Sequence, residues 1–441
     1  MARKMKRFGF AATAIAAAIA MQGCSQGNTA QPGDGGETGK ENAKAADIGT
    51  EPIELKIWVN MSDDLFQKLV VQPVKLKYPN ITMTMVGVDK KIPDLIAAGE
   101  VPDIITDTIG SIVKYKDLAI IEELTPYVKK FGMDLGRINP VVLETVQKAS
   151  GTNQLLGLPI SGNVVMLYYN KDIFDKFGVP YPKDGMSWDE AYELAKKVTK
   201  TDGGVKYRGF DFQDSFQFSA NQLSLSVVDD KTNKSLVNGE PWKKIFANYA
   251  RFLQIPGNEV DDKTYGKGMD QFLKDKTLAM YVTSSMFSRL PDAVNGGLSF
   301  DMVTLPSFAE APNTTTQVDG GVRMVASTSK RKDAAFAALS AMLSDEAQKL
   351  IAMNGNTSVL KDSKINEEFG KNVEILNNRN RLGFVKNQPA KPPASITKYD
   401  ADAYSIIRSQ FKKMIVTQTD VNTILREADE LINKKIAESP K

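Results

Sequence analysis

The 441-residue chain has no histidine, a single cysteine and only three tryptophans. Without histidine there is no Ser-His-Asp or Cys-His nucleophilic arrangement and no His-ligated zinc site. The side chain most used as a general base near neutral pH is missing as well. Among hydrolytic chemistries, those run by two carboxylates remain open. One cysteine excludes a disulfide within the chain. No EF-hand calcium loop and no phosphate-binding glycine motif occurs, so the sequence calls for no metal and no cofactor. Beyond the N-terminal segment no apolar run approaches the ~20 residues of a spanning helix.

What is present begins at the N-terminus. Arg3, Lys4, Lys6 and Arg7 form a basic start with no acidic partner, and Phe8 to Met21 is an Ala-rich apolar run of 14 residues. Gln22, Gly23 and Cys24 follow. A basic head, a short apolar core and a small residue before the cut make a secretory signal. The formal charge is +3; losing the four N-terminal cations leaves 52 Lys and Arg against 53 acids, or −1. Such a balance offers no electrostatic footprint for nucleic acid. Met21-Gln22-Gly23-Cys24 resembles the lipobox of bacterial lipoproteins, although Met21 stands where Leu is usual and Gln22 is bulky. The resemblance implies a signal peptide over 1–23, a diacylglyceryl group on Cys24 and an extracytoplasmic, membrane-anchored protein. The alternative is an ordinary signal in which Cys24 is incidental. Residues 24–52 are polar and nearly free of apolar periodicity, and they read as a flexible tether.

About 390 residues remain, which suggests two domains. Ile53 to Val59 alternates apolar and charged residues, as a half-buried strand does. Asp63 to Tyr78 reads as a helix that Pro73 kinks or interrupts. Ile81 to Val86 reads as a second strand. Ile92 to Gly99 is a short helix with a glycine cap, and Val101 to Thr106 is a third strand. This alternation is the βαβ signature of a parallel sheet and an α/β fold. Ser187-Trp188-Asp189-Glu190 is a capping box. Val421, Ile424, Leu425, Ala428, Leu431, Ile432 and Ile436 recur at helical spacing. Trp58 and Trp242 read as core, and the pairs Asp229-Asp230 and Asp261-Asp262 as turns.

Six phrases carry a second resemblance. They are Leu55 to Asn60; Ala97-Ala98-Gly99-Glu100 through Ile105; Leu156 to Ile160 with Leu167 to Asp172; Ser187 to Glu190; Leu278-Ala279-Met280; and Gly320-Gly321 before Ser329-Lys330. Their order and approximate spacing resemble the extracellular solute-binding proteins that include the maltodextrin-binding protein. The resemblance covers Ile53 to about Ile436. It implies a two-lobed, type II periplasmic-binding-protein-like fold with a ligand cleft between the lobes. It also implies about three crossings, near Pro159–Ser161, near Pro306–Gly320 and near Gly355. One lobe would hold 53–160 and 316–355, the other 161–305 and 356–441. The implied partners are a mono- or oligosaccharide and the permease subunits of an ABC importer, with the protein itself a monomer.

Ligands of such folds bind outside the carboxyl ends of parallel strands. That places Asn60, Asp63 and Asp107 among the candidate contacts, with capping as the other reading of each. Asn163 follows the first crossing. Asp214 and Phe216 fall where the resemblance has an acid and an aromatic that meet sugar, although Phe210, Phe212, Phe216 and Phe218 also alternate like a strand core. Met286 occupies the slot where relatives carry a stacking Trp, with Phe287 beside it as the possible replacement. Tyr404 falls where another stacking Trp is expected, or else belongs to a helix face. Gly320 and Gly321 sit at the second crossing. The reading is of a binding protein rather than an enzyme. Its alternatives are a two-lobed receptor for a non-sugar solute and a secreted carboxylate-dependent carbohydrate-active enzyme using Asp107 and Asp214.

Overall fold

The strand Ile53–Trp58 alternates as its sequence does: Leu55 and Ile57 are buried, while Glu54 and Lys56 face out. In the computed structural model, which describes residues 48–439, it lies second in a five-stranded sheet. The order is Ile81–Val86, Ile53–Trp58, Ile104–Thr108, Gly321–Val325, Leu158–Ser161. The first three strands are mutually parallel. Gly321–Val325 runs antiparallel to both of its neighbours. The signal, Cys24 and most of the expected tether lie outside the described residues.

The helix expected over 63–78 runs on without a gap from Asp63 to Lys77, but changes its winding along the way. Asp63–Phe66 is α-helical, Gln67–Val71 is a wider π turn, and Gln72–Lys77 is α-helical again. Pro73 follows the π turn by two residues, so its missing N–H falls inside the helix, where it interrupts the hydrogen-bond ladder. The short helix Ile92–Ala97 ends before Gly99, whose φ of 69° lets the chain turn back. The third strand begins and ends later than expected, at Ile104–Thr108, so Asp107 is a strand residue opposite Val322 rather than a residue that follows the strand.

A second sheet has the order Phe300–Thr304, Met166–Asn170, Met280–Thr283, Asp211–Phe212. Its strand Met166–Asn170 is buried on both faces. Leu167 and Tyr169 belong to one apolar cluster, and Met166 and Tyr168 to another. Strands covered on both sides read as continuous apolar runs, as this one does. Each sheet thus organises a lobe with its own core. The third passage between lobes comes later than Gly355. Val359, Leu360 and Ile365 still pack in the first core, and Phe369 is the first of the later residues to join the second.

Local sequence signals explain several helices. The side chain of Ser187 accepts from the Glu190 N–H at 3.2 Å, and Glu190 accepts from the Ser187 N–H at 2.7 Å. The helix Val421–Glu438 is capped by Asp420 and buries Ile424, Leu425, Ala428 and Ile432, but Leu431 stays exposed. The phenylalanine alternation after residue 210 is not one strand. The strand stops at Phe212, and Asp214–Ser219 is a helix that puts Phe218 in the core and Phe216 half-buried at its edge. Trp242 is buried, and its indole donates to the Ser226 carbonyl. Trp58 is only half-buried and donates to the Lys90 carbonyl. Asp229 and Asp261 each cap a turn through a threonine three residues on. Among the described residues no helix is long and apolar enough to cross a membrane.

Candidate functional site

The two lobes meet where the chain passes between them. Gly162 and Thr357 exchange backbone hydrogen bonds of 2.9 and 3.2 Å. Asn163 donates through Nδ2 to the Asp319 carbonyl at 2.9 Å. A Cβ at Gly320 would lie 2.0 Å from the Ser161 carbonyl oxygen, so only glycine permits that approach. The bare backbone at Gly320 therefore serves the close packing of the crossings.

Beside this junction lies a cavity of about 250 Å³. One wall comes from the first lobe: Thr108, Ile109, Gly110 and Val113 at the carboxyl end of its central strand, with Thr145 and Ala149. The opposite wall comes from Ser219 and Ala220 and from the segment Pro393 to Tyr404. Gln317, Val318 and Asp319, on the second crossing, form its floor. The lining is mostly apolar, with a few convergent polar groups, as in small-molecule sites. Asp400 accepts from Thr397 Oγ1 at 2.6 Å, and burial pushes its carboxyl up to about 6. Burial, then the charge of Asp107, holds the Asp319 carboxyl above its usual range. Tyr404 is half-buried, with its ring packed on the second core.

Of the residues singled out in the sequence, Tyr404 lines this cavity directly. Asp107 stands beside it, in the strand next to the lining residue Thr108, but both its oxygens are engaged. Oδ2 accepts from the Tyr115 hydroxyl at 2.5 Å, and Oδ1 from the Thr108 N–H at 2.7 Å. Asp214 lies elsewhere, in a separate cavity of about 120 Å³ within the second lobe, with Asp211, Tyr265 and Tyr281. Its carboxylate accepts from the Tyr265 hydroxyl at 2.9 Å, and burial pushes its carboxyl up against the pull of Tyr265 and Arg408. Asp107 and Asp214 thus do not line a common cavity. Asn163 borders a third cavity of about 100 Å³ at the crossings. Asn60 and Asp63 are exposed, and Ser62, rather than Asp63, caps the helix that follows.

The slot of the expected stacking tryptophan is filled with core. Met286 is buried with Met166, Tyr168 and Phe384. Phe287 packs edge-on against Phe384 and Phe369, and its ring bounds the space over Gly355. Neither lines the cavity between the lobes. Sequence reading missed Asp319, Gln317, Thr108 and Asp400. The acid directly before Gly320-Gly321 is the signal that would have pointed to Asp319.

Residues 63–349 match the family of bacterial extracellular solute-binding proteins. A curated relative is the sn-glycerol-3-phosphate-binding periplasmic protein of Brucella abortus, 23% identical over 210 residues. That match covers 44% of this chain and 45% of the relative, so the chain spans under half the length of the curated relatives it matches. Among solved structures, the ABC substrate-binding protein of Listeria monocytogenes in complex with cycloalternan superposes with a TM-score of 0.70 at 19% identity, over 88% of this chain and all of that one. The sugar-binding protein MalE of Xanthomonas citri gives 0.67 at 16% identity, over 87% of this chain and 98% of that one. These likenesses show the two-lobed fold.

Proposed function

From the premise that the chain belongs to the bacterial extracellular solute-binding protein family, we propose that it captures a sugar or oligosaccharide between its lobes and delivers it to an ABC importer. The observation that carries this reading is the cavity at the crossings, walled by both lobes and floored by the segment that joins them. A ligand there would touch both lobes and the second crossing, so its binding would be coupled to closure of the lobes. The aromatic Tyr404, the aliphatic Val113, Val318 and Ile396, and the polar Thr108, Gln317 and Asp319 suit a molecule with apolar C–H faces and a rim of hydroxyls.

The N-terminal sequence supports the rest. A lipid on Cys24 would hold the chain at the outer face of the membrane, and the polar stretch to residue 52 would let the lobes reach a permease. We read the protein as a monomer without cofactor, and as a carrier rather than a catalyst. The separate partners of Asp107 and Asp214 support the last point, since a glycosidase needs its two carboxyls about 5–10 Å apart across one cleft.

A thermal-shift screen with mono- and oligosaccharides tests the proposal. A ligand at 100 times its Kd stabilises the folded state by about 2.7 kcal/mol, which a melting curve resolves. At least one sugar is expected to raise the melting temperature. If no sugar does, while an amino acid or a polyamine does, the sugar assignment fails and a receptor for another solute remains. A second reading follows from the Brucella relative, named for sn-glycerol 3-phosphate; the charges around the cavity bear on it.

A further inference from the structure

The Asp319 carboxylate lines the cavity between the lobes with no hydrogen-bond donor and no cation meeting it among the described residues. Its own main-chain carbonyl accepts from Asn163 at 2.9 Å. The charge acting on it most is a second acid, Asp107, whose oxygens are already taken by Tyr115 and Thr108. Asp400 faces the same space and is matched by Thr397 at 2.6 Å. Lys398 is the one basic residue of the lining, against the two acids Asp319 and Asp400.

A half-buried carboxylate without donors loses part of its hydration with nothing to replace it. It persists where something that binds later completes it, and ionised Asp offers about four acceptor positions to do so. A hydroxyl-bearing ligand supplies donors without adding charge. A phosphate ester brings −1 to −2 into a space where two acids face the single basic side chain Lys398, whereas phosphate sites are commonly built from several Arg or Lys.

We infer that Asp319 is a specificity residue: it accepts hydrogen bonds from the hydroxyls of an uncharged polyhydroxyl ligand, and it bars phosphate esters from the cavity. The inference rests on the proposed function in taking this cavity as the ligand site.

The test compares melting curves and binding for the full chain, purified in detergent, with those of Asp319→Asn. Asp319→Ser serves as a second variant if Asn folds poorly. The probes are glucose, maltose and mannobiose, their counterparts glucose 6-phosphate and sn-glycerol 3-phosphate, and spermidine. Without ligand, Asp319→Asn is expected to melt higher than the parent, since the shape is kept and an unmatched charge is gone. Any sugar that shifts the parent should bind at least tenfold more weakly to Asp319→Asn, and the phosphate esters should leave the parent unshifted. A variant that melts lower, a parent stabilised by a phosphate ester, or a parent that prefers spermidine to every sugar overturns the inference. If no probe shifts the parent, the sugar reading and the inference fail together; if a sugar binds the parent and Asp319→Asn equally well, the inference alone fails.

Discussion

The side-chain amide of Asn163 donates to the main-chain carbonyl of Asp319 at 2.9 Å, so the first and second passages between the lobes are tied to each other. The first passage is also tied to the first-lobe segment that precedes the third, through the Gly162–Thr357 pair. The first two passages therefore run side by side between the lobes. Asn163→Ala removes one neutral hydrogen bond and should cost about 1 kcal/mol. Denaturant melts measure that loss. An affinity loss beyond tenfold at unchanged stability would instead make Asn163 a ligand contact.

Asp400 should make stability depend on pH. Burial raises its folded-state pKa from 3.8 to about 6. Below pH ~4 both folded and unfolded states hold the proton. Between about 4 and 6 the unfolded state has released it while the folded state still binds it, so stability from this group declines as pH rises through that window and stays lower above it. Asp400→Asn should flatten this slope and add up to about 3 kcal/mol at pH 7. Melting temperatures from pH 4 to 7 decide the matter; parallel slopes for parent and variant would refute it.

Arg208 and Asp211 form a buried ion pair at 2.8 Å, with side chains only 6% exposed on each side. Arg208 also donates to the Asn258 carbonyl and to Gln271. Arg208→Ala leaves Asp211 uncompensated near Asp214, and a loss of about 3–5 kcal/mol is expected. Chemical denaturation reads it, and a loss below about 1 kcal/mol would mean that water or rearrangement compensates the acid.

Cys24→Ser should release the protein from membranes. One acyl chain binds only marginally, whereas two or more anchor stably. Fractionation of cells expressing either form should find the parent with membranes and the variant in the soluble exported fraction. Equal membrane association would point to an anchor other than Cys24.

The fold was legible where short-range chemistry decides it. Alternation marked Ile53–Trp58, the Ser187–Glu190 box marked a helix start, and the spacing after Asp420 marked the last helix. Reading failed where tertiary contacts decide. Phe210, Phe212, Phe216 and Phe218 alternate, yet a helix begins at Asp214, because after Phe212 the chain leaves the sheet edge. The third passage lies later than Gly355 because Val359, Leu360 and Ile365 pack on the first core, which is not a local property of the sequence. Much of the cavity was illegible for the same reason. Thr108, Ser219, Gln317 and Asp400 are distant in sequence, and only the packing of two lobes brings them to one space. The expected stacking slot failed differently: Met286 and Phe287 stand at the right place in the sequence, but apolar neighbours absorb both.

Calorimetric titration of a sugar that raises the melting temperature, into the parent and into Tyr404→Ala, tests the central claim most directly. Capture between the lobes predicts one sugar bound per chain and an affinity at least tenfold weaker in a Tyr404→Ala variant that still melts cooperatively. Undiminished affinity in that variant, or no binding heat from any sugar, would contradict it.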